Sequence, residues 1–245
     1  MSLKKEEDTV LYWKDGSIAY VTLNRPEVIN AFSIQMRDQL YQTLEAIRDD
    51  PQVSVAVLQG AGERGFCAGA DLTDFSTNIS QAVARQVRWE RDLWGLFLSV
   101  RKPFIAALHG YVIGSGVEMA CMCDIRIASA DSVFRMPEAS LSLLPAAGGT
   151  QTLPRILGVP HAMDILLTGR RINAQEAKRT GLVHKVVEKE ALSEEIGCVA
   201  KALASCSLDV MQGIKTAVSI GMDLTLIQGL ALEERLVSEI GFHQI

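Results

Sequence analysis

The sequence has no excess of basic residues and no cluster of lysine and arginine. Its 245 residues include 24 Lys and Arg against 29 Asp and Glu, which gives a formal net charge of −5. Proteins that bind nucleic acid concentrate positive charge on one surface, because that charge neutralises phosphates. The composition therefore disfavours a nucleic-acid-binding function, and we expect no nucleic-acid partner.

Disulfide bonds and metal sites also lack support in the sequence. The chain has five cysteines, an odd number, and their spacing fits no disulfide framework. One residue separates Cys121 from Cys123, which is not a zinc-binding spacing, and no His/Cys pair accompanies them. We therefore predict reduced thiols in a reducing compartment and no metal site.

A secretion signal and a membrane span are missing as well. The first eight residues are mostly charged or polar and contain no apolar core of the kind that a signal peptide has. The one apolar run of membrane length, from Phe104 to Cys123, includes His109, Glu118 and glycines, which disfavour a spanning helix. We expect no membrane association and a cytoplasmic location.

The common nucleotide-binding and serine-nucleophile motifs are absent too. The chain contains no dinucleotide-type G-x-G-x-x-G, no G-x-x-x-x-G-K-[ST] and no G-x-S-x-G. The segment Gly114-Ser115-Gly116 makes a serine nucleophile conceivable, but none of the four histidines is obviously placed as its base. A nucleophilic role for Ser115 is therefore disfavoured.

What the sequence does contain is an alternation of strand and helix patterns. Residues 10–23 predict a β-hairpin that turns at Asp15-Gly16. Ser33 is placed to cap a helix that has one apolar face. Further patterns predict, in order, strand 53–58, helix 80–99, strand 104–108, a helix from about Val117 and strand 124–128. This is an α/β pattern with short turns between strand and helix.

The end of the chain has a different pattern. From about residue 193 it contains no strand signal and reads as three helices, at 193–205, 208–220 and 223–240. We therefore predict a core over residues 1–192 and a separate helical segment over residues 193–245.

Two turns made of small residues are candidates for a binding site. Residues 68–70 are Ala-Gly-Ala, and Gly114-Ser115-Gly116 opens a predicted helix, where free N–H groups favour negative charge. If both turns follow adjacent parallel strands, two backbone N–H groups would converge on one point as an oxyanion hole. The alternative is two ordinary strand-to-helix turns.

Two glutamates stand in apolar surroundings. Glu118 is the only charged residue between Ile113 and Cys123, and Glu138 follows Met136-Pro137 and precedes a leucine-rich run. A carboxylate in apolar company is costly unless it is paired or used chemically. The two residues therefore indicate acid–base chemistry.

Several segments resemble, in order and spacing, the motifs of the enoyl-CoA hydratase/isomerase (crotonase) superfamily. They are Asn24–Ala31, Phe66–Leu72, Lys102–Tyr111, Gly114–Asp124, Phe134–Glu138, Pro145–Gln151 and Leu167–Ala177. The resemblance runs from about residue 8 to residue 240. It implies an α/β fold, the crotonase-like spiral of repeated ββα units with a C-terminal helical trimerisation segment, in a homotrimer or a dimer of trimers.

The resemblance also implies roles for the candidate residues. The family binds an acyl-CoA thioester and stabilises its enolate with two backbone N–H groups, which correspond to those of Ala70 and Ser115. Ser115 stands where the family usually has glycine, but only its N–H is needed. Members that hydrate a 2-enoyl-CoA carry two glutamates, so we assign Glu118 to orienting water and Glu138 to proton transfer at C2.

Contacts with CoA or the acyl group are implied for a further set of residues. These are Arg25, Val28, Ile29, Ala68, Gly69, Asp71, Leu72, Gly114 and Ala146. Ala146 stands where the family usually has glycine, and we expect it to narrow the pocket or redirect the acyl chain. Many relatives continue beyond the position of Ile245 with a helix that helps to hold CoA. Arg25, Arg64 and Lys215 are candidates to meet the CoA phosphates, although solvation at the surface is the simpler interpretation.

Other prominent residues receive structural interpretations. Asp71 is expected to fix its turn, Asp124 to anchor a strand, and His109 to be a structural histidine. The aromatic residues Trp89, Trp94 and Phe97 are expected in the core or in a pocket wall.

The expected reaction is the hydration of a trans-2-enoyl-CoA, with no metal or redox cofactor because the thioester itself accepts electrons. One alternative on the same site is double-bond isomerisation, or hydration and dehydration of a dienoyl, branched or cyclic acyl-CoA. Another is a non-catalytic member of the fold that binds acyl-CoA or RNA.

Overall fold

The computed structural model describes residues 8–76 and 91–241 of the chain. Its strands are β1 Val10–Asp15, β2 Ile18–Leu23, β3 Val55–Gly60, β4 Phe104–Leu108, β5 Tyr111–Ile113, β6 Ile125–Ser129, β7 Val133–Arg135, β8 Ile172–Asn173 and β9 Lys185–Val187. Its helices are α1 Ile34–Asp49, α2 Leu93–Ser99, α3 Ser115–Met122, α4 Gly149–Leu157, α5 Val159–Thr168, α6 Ala174–Arg179, α7 Leu192–Ala204, α8 Leu208–Gly221 and α9 Leu226–Ile240.

The strands form two sheets within the described residues. One has the order β1-β2-β3-β4-β6-β9, and the other has the order β5-β7-β8. Apart from the antiparallel pair β1–β2, neighbours in the larger sheet run parallel. The chain thus moves repeatedly from a strand of the large sheet to a short strand or turn and then to a helix, as the predicted α/β spiral requires.

The first hairpin and helix are confirmed as predicted. β1 and β2 pair in register from Val10 with Leu23 to Asp15 with Ile18, and Gly16 supplies the positive φ of 57° that the tight turn needs. The N–H of Met36 donates to Oγ of Ser33 over 3.2 Å, so Ser33 caps α1. The buried face of α1 consists of the four residues predicted for it, Met36, Leu40, Leu44 and Ile47.

Several predicted boundaries were wrong by a few residues. β3 begins at Val55 because the N–H of Val53 belongs to a turn and donates to the carbonyl of Asp50. α3 begins at Ser115, directly after the positive φ of Gly114. α9 begins at Leu226, since Thr225 and Gln228 form a capping box.

The predicted helix at 80–99 is only partly within the described residues. Its last part is present as α2, which buries Leu93, Leu96 and Phe97. Trp94 packs beside Phe32, with ring centroids 5.7 Å apart. Residues 80–90, with Trp89, lie outside the described residues.

The helical segment that ends the chain packs on the core through its first helix. Leu192 and Ile196 of α7 join a cluster with Ile18, Val57 and Ile105 from one face of the large sheet. α8 and α9 pack against each other, and many of their apolar side chains are exposed. The division into two domains at residue 192 stays a prediction. None of the helices described here is both long and apolar enough to cross a membrane.

Candidate active site

A cavity of about 400 Å³ lies where the two predicted turns meet. Its lining includes the four residues predicted for catalysis, Ala70, Ser115, Glu118 and Glu138. They come from three segments: the turn after β3 with Ala70, helix α3 with Ser115 and Glu118, and the 3-10 turn Glu138–Leu141 that begins at Glu138. The fold therefore brings both candidate N–H groups and both carboxylates to one cavity.

The two turns touch each other directly because glycines remove the side chains between them. Gly69 has a φ of 96°, and a Cβ at this position would lie 3.2 Å from the carbonyl oxygen of Ile113. A Cβ on Gly116 would lie 2.8 Å from the carbonyl oxygen of Cys67. Such close approach of one backbone to another is possible only for glycine. It places the Ala70 backbone beside the N-terminus of α3.

A short parallel bridge holds Ala70 in position. The N–H of Phe32 donates to the carbonyl of Gly69 over 2.8 Å, and the N–H of Asp71 donates to the carbonyl of Phe32 over 2.9 Å. Ser115, as the first residue of α3, has one of the N–H groups that a helix leaves without an intrahelical acceptor. The backbone around both positions is thus fixed before any ligand binds.

Glu118 is almost completely buried and its carboxylate is held from two sides. It is 2% exposed, and Oε1 accepts the N–H of Ala147 over 3.0 Å and the N–H of Gly149 over 2.8 Å. Gly149 is the first residue of α4, so the positive end of this helix faces the carboxylate. These contacts compensate the burial of a charge and fix the orientation of the side chain.

Glu138 has the opposite environment. Its Oε2 atom is buried and has no hydrogen-bond partner among the described residues. Burial raises the pKa of this carboxyl group above its ordinary range. Its other oxygen lies against Gly114, where an added Cβ would come within 2.6 Å of Oε1. Glu138 therefore binds its proton more tightly than a free glutamate does.

The residues predicted to contact CoA form a second group next to the cavity. The N–H of Ala68 donates to the carbonyl of Ile29 over 2.8 Å, which joins the two predicted CoA segments. Val28 and Leu72 are 40% and 56% exposed, so apolar surface is open to a ligand there. Ala146 lines the catalytic cavity instead, and Gly114 lies against the carboxyl group of Glu138.

Arg25 and Asp71 bind each other. An Nη atom of Arg25 lies 2.8 Å from Oδ2 of Asp71 and also donates to the carbonyl of Ala31. The hydroxyl and N–H of Thr73 donate to Oδ1 of Asp71. Hydrogen bonds from Thr73 and then from Arg25 lower the pKa of Asp71. These contacts agree with the interpretation that Asp71 fixes its turn.

The other candidate cations are placed less favourably for a shared phosphate site. Lys215 of α8 lies 2.8 Å from Oδ2 of Asp124 and donates to the carbonyl of Lys102. Arg64 is exposed and makes a long contact of 3.4 Å with the carbonyl of Glu27. Lys215 is therefore engaged by Asp124, whereas Arg64 contacts the segment that also carries Arg25. Asp124 also accepts the N–H of Phe104, so it anchors β4 as predicted.

His109 contacts the backbone outside the catalytic cavity. Nε2 of His109 lies 2.9 Å from the carbonyl oxygen of Gly62, and burial lowers the pKa of its ring. It lies outside the cavity lining, as expected for a structural histidine. Among residues 8–76 and 91–241, no group of three or more His, Cys, Asp or Glu side chains is arranged to hold a metal ion.

Sequence reasoning missed part of the cavity wall. Arg37 of α1 and Arg91 line the cavity, as do Leu143 and Leu144. The N–H groups that hold Glu118 were missed too, because a backbone donor has no signature in the sequence. The position of Arg37 could have been noticed in the sequence. It directly follows Met36, which was predicted to lie on the buried face of this helix, so Arg37 could be expected close to the core.

Comparison with known proteins identifies the family. A family model described as "Enoyl-CoA hydratase/isomerase" matches residues 14–244. A probable enoyl-CoA hydratase of Rhizobium meliloti is 38% identical over 95% of this chain and 90% of its own length. An (E)-benzylidenesuccinyl-CoA hydratase of Thauera aromatica is 39% identical over 87% of this chain and 83% of its own length.

Solved structures agree with the sequence comparison. The crystal structure of an enoyl-CoA hydratase from Bacillus anthracis superposes with a TM-score of 0.88 at 34% identity, and the match covers 93% of this chain and 89% of the other. Family model, relatives and structure therefore lead to the same result. The chain is an enzyme of the enoyl-CoA hydratase/isomerase family and has the crotonase fold.

Proposed function

We propose that the enzyme adds water reversibly to a trans-2-enoyl-CoA and forms the 3-hydroxyacyl-CoA. The observation that carries this proposal is the contrast between two carboxylates in one cavity. Glu118 is held by two N–H groups, whereas Oε2 of the partly buried Glu138 is itself buried and has no hydrogen-bond partner among the described residues. Two carboxyl groups whose environments differ in this way are suited to separate base and acid roles.

In the proposed reaction the thioester oxygen accepts the N–H groups of Ala70 and Ser115. Glu118 orients a water molecule and takes one of its protons while the water oxygen bonds to C3. The π electrons of the C2=C3 bond move toward the thioester and form an enolate, which each N–H stabilises by about 3 kcal/mol. Glu138 then gives a proton to C2, so the hydroxyl and the hydrogen arrive on the same face.

The two glutamates share one proton in this scheme. Hydration begins with a protonated Glu138 and an ionised Glu118, and dehydration begins with the reverse arrangement. Two carboxyl groups that interact titrate as a pair with macroscopic pKa values. Both directions should therefore have the same bell-shaped pH dependence of kcat/KM.

The proposal includes the absence of a metal or redox cofactor from the reaction. The carbonyl of the thioester is the electron sink, so coenzyme A takes part only as the substrate's carrier. The predicted contacts of Arg25, Val28, Ile29, Ala68, Gly69, Asp71 and Leu72 would hold that carrier beside the cavity.

The alternatives differ in how they use Glu118. An isomerase that moves the double bond needs only one group to transfer the proton. Glu118, which is buried and held by two N–H groups, would then have no role in the reaction. A hydratase for an unusual acyl group uses both glutamates, and the name of the Thauera aromatica relative shows that hydratases in this family take such groups. The non-catalytic alternative leaves the buried, partnerless Oε2 of Glu138 unexplained.

The direct test is addition of the purified protein to crotonyl-CoA and a panel of longer trans-2-enoyl-CoAs. We expect the absorbance of the conjugated enoyl thioester to fall as the 3-hydroxyacyl-CoA forms, and mass spectrometry should show a gain of one water. Loss of a 3-enoyl-CoA with appearance of the 2-enoyl isomer, but no hydration of any panel member, would favour the isomerase.

A cytoplasmic location stays a prediction.

We also propose that the protein is a homotrimer or a dimer of trimers joined through the final helices. Exposed apolar side chains are dense there and include Ile214, Val218, Leu226, Ile227 and Leu230, at 55–81% exposure. Apolar surface of this extent generally marks a protein interface.

Light scattering should therefore give a mass three or six times that of one chain. Ile214→Glu places a charge in the proposed interface and should lower this mass. Leu98→Glu is the control, because Leu98 is similarly exposed, at 64%, but lies on α2. A monomeric wild-type protein would contradict the proposal.

A further inference from the structure

Two arginines in the wall of the catalytic cavity have no part in the proposed proton transfers. Arg37 lies on α1 and Arg91 lies just before α2, and both line the same cavity as Glu118 and Glu138. Their side chains are 23% and 45% exposed. The pKa of Glu138 is raised by burial, and no nearby cation is among the causes of its shift.

Both guanidinium groups depend on one carboxylate. Nε and an Nη atom of Arg37 donate to Oδ1 of Asp38 over 3.0 and 2.8 Å. An Nη atom of Arg91 lies 3.0 Å from Oδ2 of the same residue. A guanidinium has five N–H donors, so most donors of this pair are not used by Asp38. Asp38 also holds the two groups close together.

Another carboxylate in the described part of the cavity lining already has a backbone partner. Asp92 lines the cavity too, but its Oδ1 accepts the N–H of Gly95 over 3.0 Å and caps α2. It forms no ion pair within 4.0 Å with Arg37 or Arg91. Its charge is compensated by the helix N-terminus, so it does not replace a ligand for the arginines.

Apart from Asp92, Ser115 and the two glutamates, the remaining described lining of the cavity is apolar and includes Leu93, Trp94, Leu143 and Leu144. A plain hydrocarbon chain would pack against these apolar residues. It would also displace water from the guanidinium groups without offering them a hydrogen-bond acceptor, and the loss of hydration of a charged group is costly. A chain that ends in a carboxylate would satisfy them, because the planar guanidinium matches a carboxylate with two parallel hydrogen bonds.

We propose that the acyl group of the natural substrate carries a carboxylate that Arg37 and Arg91 bind. This inference rests on the proposed function, since it places the acyl chain in the cavity between the glutamates and the arginines. The phosphates of CoA are the other anions to consider. None of the side chains predicted for CoA except Ala146 lines this cavity, and we expect those phosphates to bind outside it, near Arg25.

The test compares two substrates of equal length, trans-2-hexenoyl-CoA and the same thioester with a carboxylate in place of the terminal methyl. The wild-type enzyme should have the higher kcat/KM with the carboxylated substrate. Arg37→Gln should lower this value by about 10- to 100-fold, as expected for a lost charged hydrogen bond. The value for the methyl-ended substrate should change less than about twofold.

Arg48→Gln is the matched control. Arg48 lies on the same helix and binds the adjacent Asp49 through Nε and an Nη atom, as Arg37 binds Asp38, but it lies outside the cavity. It should leave both substrates unaffected. Arg91→Gln is the second variant if Arg37→Gln does not fold, because Asp38 then keeps Arg37 as its partner.

Several outcomes would overturn the inference. A wild-type preference for the methyl-ended substrate would do so, and so would an equal loss with both substrates, which would point to CoA phosphate or to folding. Calorimetry with the two saturated acyl-CoAs requires no turnover. If the carboxylated ligand binds more tightly and Arg37→Gln removes the difference, the inference holds even where the hydratase reaction fails. Equal binding of both ligands would reject it.

Discussion

Glu138→Gln is expected to reduce the turnover of a trans-2-enoyl-CoA by about 10²- to 10⁴-fold, the usual contribution of a general acid. Glutamine has the same shape as glutamate and fills the same space beside Gly114, but it cannot give a proton to C2. The substrate should still bind, because the N–H groups of Ala70 and Ser115 are unchanged. The loss should therefore appear in kcat with little change in KM, measured by steady-state kinetics.

The same substitution should also stabilise the protein, with a dependence on pH that identifies the cause. The pKa of Glu138 is raised in the folded protein by burial, so the folded state binds this proton more tightly than the unfolded chain. Wild-type stability is then lost as pH rises from about 4.3, the pKa of a free glutamate, through the folded pKa. Glutamine does not ionise, so the melting temperature of the variant relative to wild type should rise over that range.

Glu234→Gln is the control for both measurements, since Glu234 is an exposed residue of α9. It should change neither turnover nor the pH dependence of stability. Near-normal turnover of Glu138→Gln would remove Glu138 from the mechanism. A melting-temperature difference that does not vary with pH would show that its carboxyl group is not destabilised by burial.

Gly114→Ala should reduce turnover by about 10²-fold although it touches no reacting atom directly. Gly114 has a φ of 50° and a ψ of −116°, and a Cβ there would lie 2.6 Å from Oε1 of Glu138. The methyl group must displace the carboxyl group or shift the backbone that presents the Ser115 N–H. A misplacement of about 1 Å in a catalytic group costs approximately this factor.

Gly16→Ala separates this effect from backbone strain. Gly16 also has a positive φ, 57°, but nothing lies within 4 Å of the position of its Cβ. The variant should lose stability, because alanine is strained at positive φ, and keep normal turnover. Full activity in Gly114→Ala would show that the contact between Gly114 and Glu138 has no catalytic importance.

The part of the site that could be predicted from sequence is the part that is local. The small-residue turn before Asp71, the glycines around Ser115 and the two glutamates each occupy a few consecutive positions, and their chemistry is evident from residue type. The first helix was predictable for the same reason, since its cap at Ser33 and its apolar face lie within one segment.

The contacts that define the site's electrostatics were not predictable, because they join distant segments through the backbone. Glu118 is held by the N–H groups of Ala147 and Gly149, and any residue except proline offers such a donor. The pairing of Arg37 and Arg91 through Asp38 likewise depends on how α1 packs beside α2. The start of α9 was different, since Thr225 and Gln228 are a capping box that can be read in the sequence.

The order of the strands in the two sheets could not be predicted from local sequence patterns either. β5 follows β4 in the chain but pairs with β7 in the smaller sheet, while β4 pairs with β6. Local patterns predict where strands are, but the choice of partner depends on burial across the whole sheet. The resemblance to the crotonase superfamily implied a spiral of repeated ββα units but no order of the strands within a sheet.

The row of contacts from Gly116 through Gly69 to Gly114 limits how this enzyme can be redesigned. Each glycine lies against the backbone or the acid with no room for a methyl group, so the enolate site and the proton donor share one wall. A substitution at these glycines that changes the surroundings of Glu138 will therefore also disturb the enolate site. Leu143 and Leu144 also line the cavity, are exposed and take no part in those glycine contacts, so a change in the size of their side chains is the simpler route to a new substrate range.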